Sequence, residues 1–283
     1  MAEVAVDRAT VDEVRAIARR RAFDDAGMRL ALELADRGSA WAARDAGEVV
    51  GIAIARAVEE ERYLGDCFVE PSYRGQGVGG RLLDAALGEA EDATRVALLD
   101  PQDRAATALA LRRGLAPRET VLRFAGAIPK EEELARMAAG SYTFAVDDID
   151  PAAHSFALDA LDGSVRGGAR EWDHRWFARH NIGLAFLLNG EFVAYAYVWP
   201  DGRIGPIASA SAGYLVQILA YALLMLQRRH SATWCTALVP ASNLRIARTA
   251  LRAGLTIEET MLCARDASVA DLSTYVGYHR LLF

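Results

Sequence analysis

Val69-Glu70-Pro71-Ser72-Tyr73-Arg74-Gly75-Gln76-Gly77-Val78-Gly79-Gly80 sets four glycines within six residues, between a strand-like run and a helix-like one. Glycine lets the backbone turn tightly and come close to a ligand. Consecutive free N–H groups at a helix N-terminus, at the positive end of the helix dipole, bind phosphate. Arg74 adds a fixed positive charge. The stretch reads as a pyrophosphate cradle. It is no Walker A loop, because no Gly-Lys-Ser/Thr follows, and a dinucleotide fingerprint fits poorly because no parallel βαβ context lies upstream.

Working outward, Tyr63–Val69 is the strand that feeds the loop, and the helix beyond carries Leu82, Leu83, Ala86 and Leu87 on one side. Upstream, Glu3–Val6 is a short strand. Thr10-Val11-Asp12-Glu13 has the form of a capping box and opens a helix with Val14, Ile17 and Ala18 on one face. Met28–Asp36 repeats that pattern. Ser39–Arg44 and Glu48–Ala57 form a hairpin around Asp45-Ala46-Gly47. Downstream come a strand at Arg95–Leu99, a helix at Arg104–Arg113 closed by Gly114, and a strand at Thr120–Phe124.

A chain of 283 residues is twice a typical domain of about 140. The second half repeats the element order of the first. Its hairpin turns at Asn189-Gly190, its long helix spans about Tyr214–Arg229, and strands follow at Thr233–Leu238 and Glu259–Ala264. Leu111-Arg112-Arg113-Gly114-Leu115 aligns with Leu251-Arg252-Ala253-Gly254-Leu255, and Glu119-Thr120-x-Leu122 with Glu259-Thr260-x-Leu262, all at an offset of 251 − 111 = 140 residues. Two copies of one domain are expected, at 1–126 and 142–283. Residues 127–141, with Pro129 and the charged run Lys130–Glu133, read as a linker.

In this setting the loop resembles the acyl-CoA loop of the GNAT superfamily of N-acetyltransferases, whose pattern is R/Q-x-x-G-x-G/A. Arg74, Gly77 and Gly79 fill its defined positions, and the order of elements over about residues 1–126 is similar to a whole GNAT domain. The resemblance implies an α/β fold of mixed α+β kind: two tandem GNAT-like domains, each a mixed, mostly antiparallel sheet flanked by helices. It implies acetyl-CoA as acyl donor, held by Phe68, Val69, Arg74, Gly75, Gln76, Gly77, Val78, Gly79, Gly80 and Asp103. The backbone around Cys67–Val69 would pair with the pantetheine arm. At the same offset the second copy has Tyr214-Leu215-Val216-Gln217-Ile218-Leu219, without glycine or charge, so it resembles a degenerate GNAT domain without the usual CoA contacts.

GNAT chemistry is direct transfer to an amine of a small molecule or peptide. It requires proximity, an oxyanion contact and a base. Asp66 on the loop-feeding strand is the candidate base, with Glu61, Tyr63 and Asp100 nearby. Alternation puts Asp66 on the face opposite Cys67 and Val69 unless a bulge intervenes. The family's usual acid is a tyrosine in an N-x-x-A-x-x-L-Y helix. Here its position is Ala110, or Ala250 in the second copy, and Asp103 stands at the asparagine position. That loss keeps open a second reading, a non-catalytic acyl-CoA-binding or assembly protein. Arg166, Arg170, Trp172, Asp173, His174, Trp176 and His180 form a polar-aromatic stretch that either lines an acceptor pocket or, more simply, makes a buried aromatic face.

Composition narrows the partners. A net charge of −6 gives no footprint for nucleic acid or an anionic membrane, and argues against an aminoacyl-tRNA-dependent transferase. A mycothiol synthase would carry its working loop in the second copy. Three cysteines without CxxC spacing and five scattered histidines imply reduced thiols and no metal. The charged N-terminus is no signal peptide, and the longest apolar run is too short to span a bilayer. A cytoplasmic protein is expected, a monomer with its own pseudo-dimer of domains or a homodimer.

Overall fold

In the computed structural model, which describes residues 4–58, 61–88, 93–267 and 271–283, the first helix is α1 (Val11–Arg20), opened by the expected capping box. The Glu13 carboxylate accepts the Thr10 N–H at 2.7 Å, and the Thr10 hydroxyl accepts the Glu13 N–H at 3.3 Å. The strand ahead of it, β1, runs Ala5–Arg8, and Glu3 of the expected strand lies outside the described residues. Then follow α2 (Asp25–Asp36), β2 (Ala40–Asp45), β3 (Glu48–Val58), β4 (Glu61–Val69), α3 (Val78–Leu87), β5 (Thr94–Leu99), α4 (Arg104–Arg112) and β6 (Ala116–Ala127). The second series is α5 (Glu131–Ala138), β7 (Ala145–Asp148), α6 (Ser155–Arg166), α7 (Glu171–His180), β8 (Ile182–Leu188), β9 (Glu191–Val198), β10 (Arg203–Ser209), α8 (Leu215–His230), β11 (Trp234–Pro240), α9 (Leu244–Arg252), β12 (Thr256–Arg265) and β13 (Tyr275–Val276). The repeat is real at the level of elements: α9 begins and ends 140 residues after α4, and β7 begins and ends 140 after β1.

The chain forms two units, and their limits correct the boundaries expected from chain order. Unit 1 is Met1–Arg118 with Leu262–Ala267 and His279–Phe283; unit 2 is Glu119–Met261 with Ser268–Tyr278. The physical reason is an exchange of last strands. In unit 1, β5 pairs antiparallel with the end of β12, Leu99 opposite Leu262. In unit 2, β11 pairs antiparallel with β6, Val239 opposite Leu122. The two pairings are each other's counterparts at the 140-residue offset. Each copy is therefore completed by the final strand of the other, a non-local pairing that chain order does not reveal. The expected linker is also packed: Leu134 and Ala138 of α5 are buried in the unit 2 core. Gln217 of α8 pins the chain after α5, donating to the carbonyls of Ala138 (3.0 Å) and Tyr142 (2.9 Å) and accepting the Tyr142 N–H (3.0 Å).

Within unit 1 the strand order is β1-β2-β3-β4-β5-β12. Only β4 and β5 run parallel; the other neighbours pair antiparallel. One face packs Ala53, Ala55, Leu64, Ala97 and Leu99 against Val78, Leu82, Leu83 and Ala86 of α3, a contiguous apolar core. Strand alternation gives the other face to Ile52, Ile54 and Tyr63, all buried. Unit 2 follows the same plan, in the order β6-β11-β10-β9-β8-β7, with the long apolar α8 over Ala194, Ala196, Val198 and Ile207.

Candidate functional site

Strand β4 leaves its parallel neighbour halfway along. Glu61–Leu64 pairs with Thr94–Ala97 of β5, and among the described residues the pairing stops there. At the same point the register with β3 slips: Ala55 is opposite Leu64, but Ile54 is opposite Asp66, so Gly65 is the extra residue of a bulge. The bulge reverses the alternation. Leu64, Cys67 and Val69 belong to the α3 side, whereas Asp66 and Phe68 belong to the opposite side. Asp66 thus lies opposite Cys67 and Val69, and from Asp66 to Val69 β4 is not paired with β5 among the described residues, which leaves a cleft between the two strands.

The glycine loop closes the end of that cleft. Gly75 (φ 77°) and Gly77 (φ 79°) are left-handed, a conformation costly for other residues, and a Cβ at either would meet nothing within 4 Å. Gly77 is the N-cap of α3 and makes no side-chain cap hydrogen bond, and the first turn carries no acidic residue. The amides that open α3 are therefore offered outward at the positive end of a ten-residue helix. The loop is braced from behind: Arg74 Nε donates to the Val69 carbonyl at 3.0 Å, Gln76 Nε2 to the Ser72 carbonyl at 2.8 Å, and the Tyr73 hydroxyl to Asp45 at 2.8 Å. A Cβ on Gly79 would touch Val69 (3.6 Å) and Leu109 of α4 (3.5 Å), so the loop, the end of β4 and α4 meet there. At Gly80 the space is taken by Arg113, which is paired with Asp84 at 2.6 Å.

The other predicted residues divide. Asp66 is buried and ion-paired with Arg21 at the end of α1, and the Arg21 guanidinium stacks over Phe68 at 5.0 Å and Phe23 at 5.4 Å. Sequence reading missed Arg21, because nothing in its helix marks it as a partner of β4. Asp103 caps α4, accepting the Ala106 N–H at 2.9 Å, and is otherwise exposed. Ala110 is buried and offers no acid. Burial, then the neighbouring Asp66 charge, pushes the Cys67 thiol up to about 12, so it stays protonated and is no nucleophile at neutral pH. The described residues contain no cluster of metal-ligating side chains and no helix long and apolar enough to cross a membrane.

Unit 2 has the same split, and it is filled. β10 and β11 pair in parallel only at Arg203–Ile204 with Thr236–Ala237. Beyond that β13 enters: Val276 lies opposite Ile207 and Tyr275 opposite Ala208, and the Gly277 N–H donates to the Leu238 carbonyl at 2.7 Å. The bulge glycine recurs as Gly205, 140 residues after Gly65, and a Cβ there would run into the Gly277 carbonyl. Asn243, the counterpart of Asp103, caps α9 and donates from Nδ2 to the Tyr275 carbonyl at 2.9 Å. Arg170 Nη1 donates to the Tyr275 hydroxyl at 2.6 Å and Nε to Asp173 at 2.9 Å. Most of the polar-aromatic stretch is core: Arg166, Arg170, Asp173, His174 and Trp176 are buried, whereas Trp172 and His180 are half-buried. Asp162 accepts from the Tyr195 hydroxyl (2.5 Å) and contacts His174 Nε2 (2.8 Å). Burial alone would raise Asp162, but His174, Arg170 and Arg166 hold it below the ordinary aspartate value.

Comparison with known proteins agrees with this geometry. Residues 8–115 match the family model described as acetyltransferase (GNAT) family. No curated protein matches the chain in sequence. Among solved structures, a Pyrococcus horikoshii protein assigned as an acetyltransferase superposes with a TM-score of 0.74 at 14% identity, over 100% of this chain and 96% of that one. A tandem GNAT protein from the clavulanic acid biosynthesis pathway gives 0.63 at 14% identity, over 95% and 99%. A GCN5-related N-acetyltransferase from Sphaerobacter thermophilus gives 0.60 at 17% identity, over 97% and 99%. At such identities the likeness is one of fold, and it extends over both copies. The match to the acetyltransferase (GNAT) family model, residues 8–115, takes in both the glycine loop and the split strand.

Proposed function

We propose that unit 1 binds acetyl-CoA or a close acyl-CoA and transfers the acyl group directly to an amine. The observation that carries this reading is the contrast between the two splits. In unit 2 an extended peptide fills the split, with backbone hydrogen bonds to both flanking strands and one side-chain contact from the head of the following helix. In unit 1, among the described residues, no strand pairs with β4 from Asp66 to Val69 on its β5 side, and the split ends in a loop of outward amides. An extended arm that carries amides and ends in a diphosphate matches both features.

The residues divide the work. The amides of Gly75–Gly80, with the Arg74 charge, hold the diphosphate. The β4 edge from Asp66 to Val69 pairs with the arm. When bound, acetyl-CoA supplies the acyl group as a thioester. Beyond the bulge, Asp66 accepts the proton that the amine must lose, and Arg21 fixes that carboxylate's orientation. The new C–N bond forms as the C–S bond breaks, and the sulfur leaves as thiolate, so the absence of an acid at Ala110 is no obstacle. Unit 2 makes no such contacts.

The test is calorimetry with CoA, which should give one site per chain, together with thiol release from acetyl-CoA across a panel of amines. Two sites, or none, reject the assignment. The loss of the tyrosine at Ala110 favours one alternative, a non-catalytic acyl-CoA-binding protein. Binding of CoA without thiol release for any amine would establish it.

A further inference from the structure

Residues 279–283 belong to unit 1 and pack against β4 at its bulge. The Tyr63 hydroxyl donates to the Arg280 carbonyl at 2.5 Å. A Cβ built on Gly65 would lie 2.7 Å from the Leu281 carbonyl oxygen and 2.9 Å from its Cα, so the segment's main chain passes directly over the bulge. His279 reaches the start of α2, where a Cβ on Gly27 would be 3.2 Å from its ring and where Asp24 stands 3.8 Å from Nε2. Leu281, Leu282 and Phe283 are buried, whereas Arg280 is exposed.

This placement matters because of where an arm held by the loop must end. From Val69 back to Gly65 is four strand residues, about 13 Å. The reacting end therefore comes to the bulge. The side of β4 that carries Cys67 and Val69 is closed by the apolar core with α3. An acceptor must approach from the Asp66 side, where Arg21 with Phe68 bounds the space in one direction and the 279–283 segment bounds it in the other.

We propose that His279–Leu282 is the acceptor-side wall of the unit 1 site and sets which amines are accepted, with Tyr63 as the residue that positions it. The proposal rests on the acyl-transfer reading above. The wall lies 279 − 115 = 164 or more positions beyond the end of the GNAT family match at residue 115.

The experiment compares wild type with Tyr63→Phe, which removes the hydroxyl under the Arg280 carbonyl, and with Leu281→Ala, which shortens the wall. Steady-state thiol release is measured with each amine of the panel, beside calorimetry with CoA and thermal melts. The expected result is a change of at least about five-fold in acceptor KM and a new rank order of amines. The CoA Kd should stay within about two-fold of wild type, and Leu281→Met should retain the wild-type ranking. Unchanged ranking and KM in folded Tyr63→Phe and Leu281→Ala overturn the proposal and leave the acyl-transfer reading intact. Absence of turnover in the wild type itself overturns both. A parallel loss of CoA affinity and acceptor turnover assigns the segment a structural role only.

Discussion

Substituting Gly77 by alanine separates the loop's backbone strain from its ligand contacts. Gly77 sits at φ 79°, and Gly47, in the turn between β2 and β3, at φ 88°; neither has an atom within 4 Å of where a Cβ would be. Both alanine variants therefore incur the same left-handed cost, about 1–2 kcal/mol, without a clash. Each should lower Tm by roughly 2–8 °C. They differ only in what the methyl group faces. At Gly77 it projects in front of the amides that open α3. A diphosphate displaced there loses about two charge-assisted hydrogen bonds, each about 1.5–3 kcal/mol. The CoA Kd should therefore rise by about 10²–10⁴-fold in Gly77→Ala. In Gly47→Ala it should not change. Calorimetry with CoA on both variants, with melts as the control for folding, reads this directly. A Gly77→Ala protein that binds CoA within about three-fold of Gly47→Ala refutes the assignment of the loop.

Four other outcomes are expected. Asp103→Asn should tighten CoA binding by about 2–10-fold, because a carboxylate cannot donate to a carbonyl as Asn243 does in unit 2; weaker binding by calorimetry contradicts that use of the internal template. Gly205→Ala should destabilise the chain by about 3 kcal/mol in urea melts by displacing the Gly277 main chain, and a neutral effect would show that β13 is not held tightly. Arg170→Met removes one member of the fully buried Arg170–Asp173 ion pair and should cost about 3–5 kcal/mol. Burial pushes the Cys235 thiol up to about 12 from an ordinary 9.0. Its folded value is raised, so its contribution is complete below pH 9 and is lost as pH rises from 9 toward 12. Relative to Cys235→Ala, the wild type should lose about 2 kcal/mol between pH 9 and 10.5, and parallel pH profiles would rule this out.

Much of this was legible from local sequence. The capping box at Thr10, the hairpin turn at Asp45-Ala46-Gly47 and the glycine loop all act over a few residues, and each formed where its chemistry required. The repeat was legible too, because Leu111–Leu115 and Leu251–Leu255 keep their spacing. What escaped was non-local. Arg21 and Asp66 are 45 residues apart and meet only once α1 lies on the sheet. Tyr275 and Val276 are two residues without an alternating pattern, and only the split between β10 and β11 makes them a strand. The boundary near 126 failed for the same reason: a strand pairs with whichever edge is available, and β6 found β11.

The exchange of last strands has a consequence for synthesis. β5 is complete at residue 99, but its antiparallel neighbour is Leu262–Arg265. At about 5–20 residues per second, the ribosome takes roughly 8–30 s to deliver the 262 − 99 − 1 = 162 intervening residues. Throughout that interval β5 has an open edge, and unit 1 cannot close its sheet as a domain made of one continuous stretch does. The first copy must therefore wait for the second, and the two units are completed almost together.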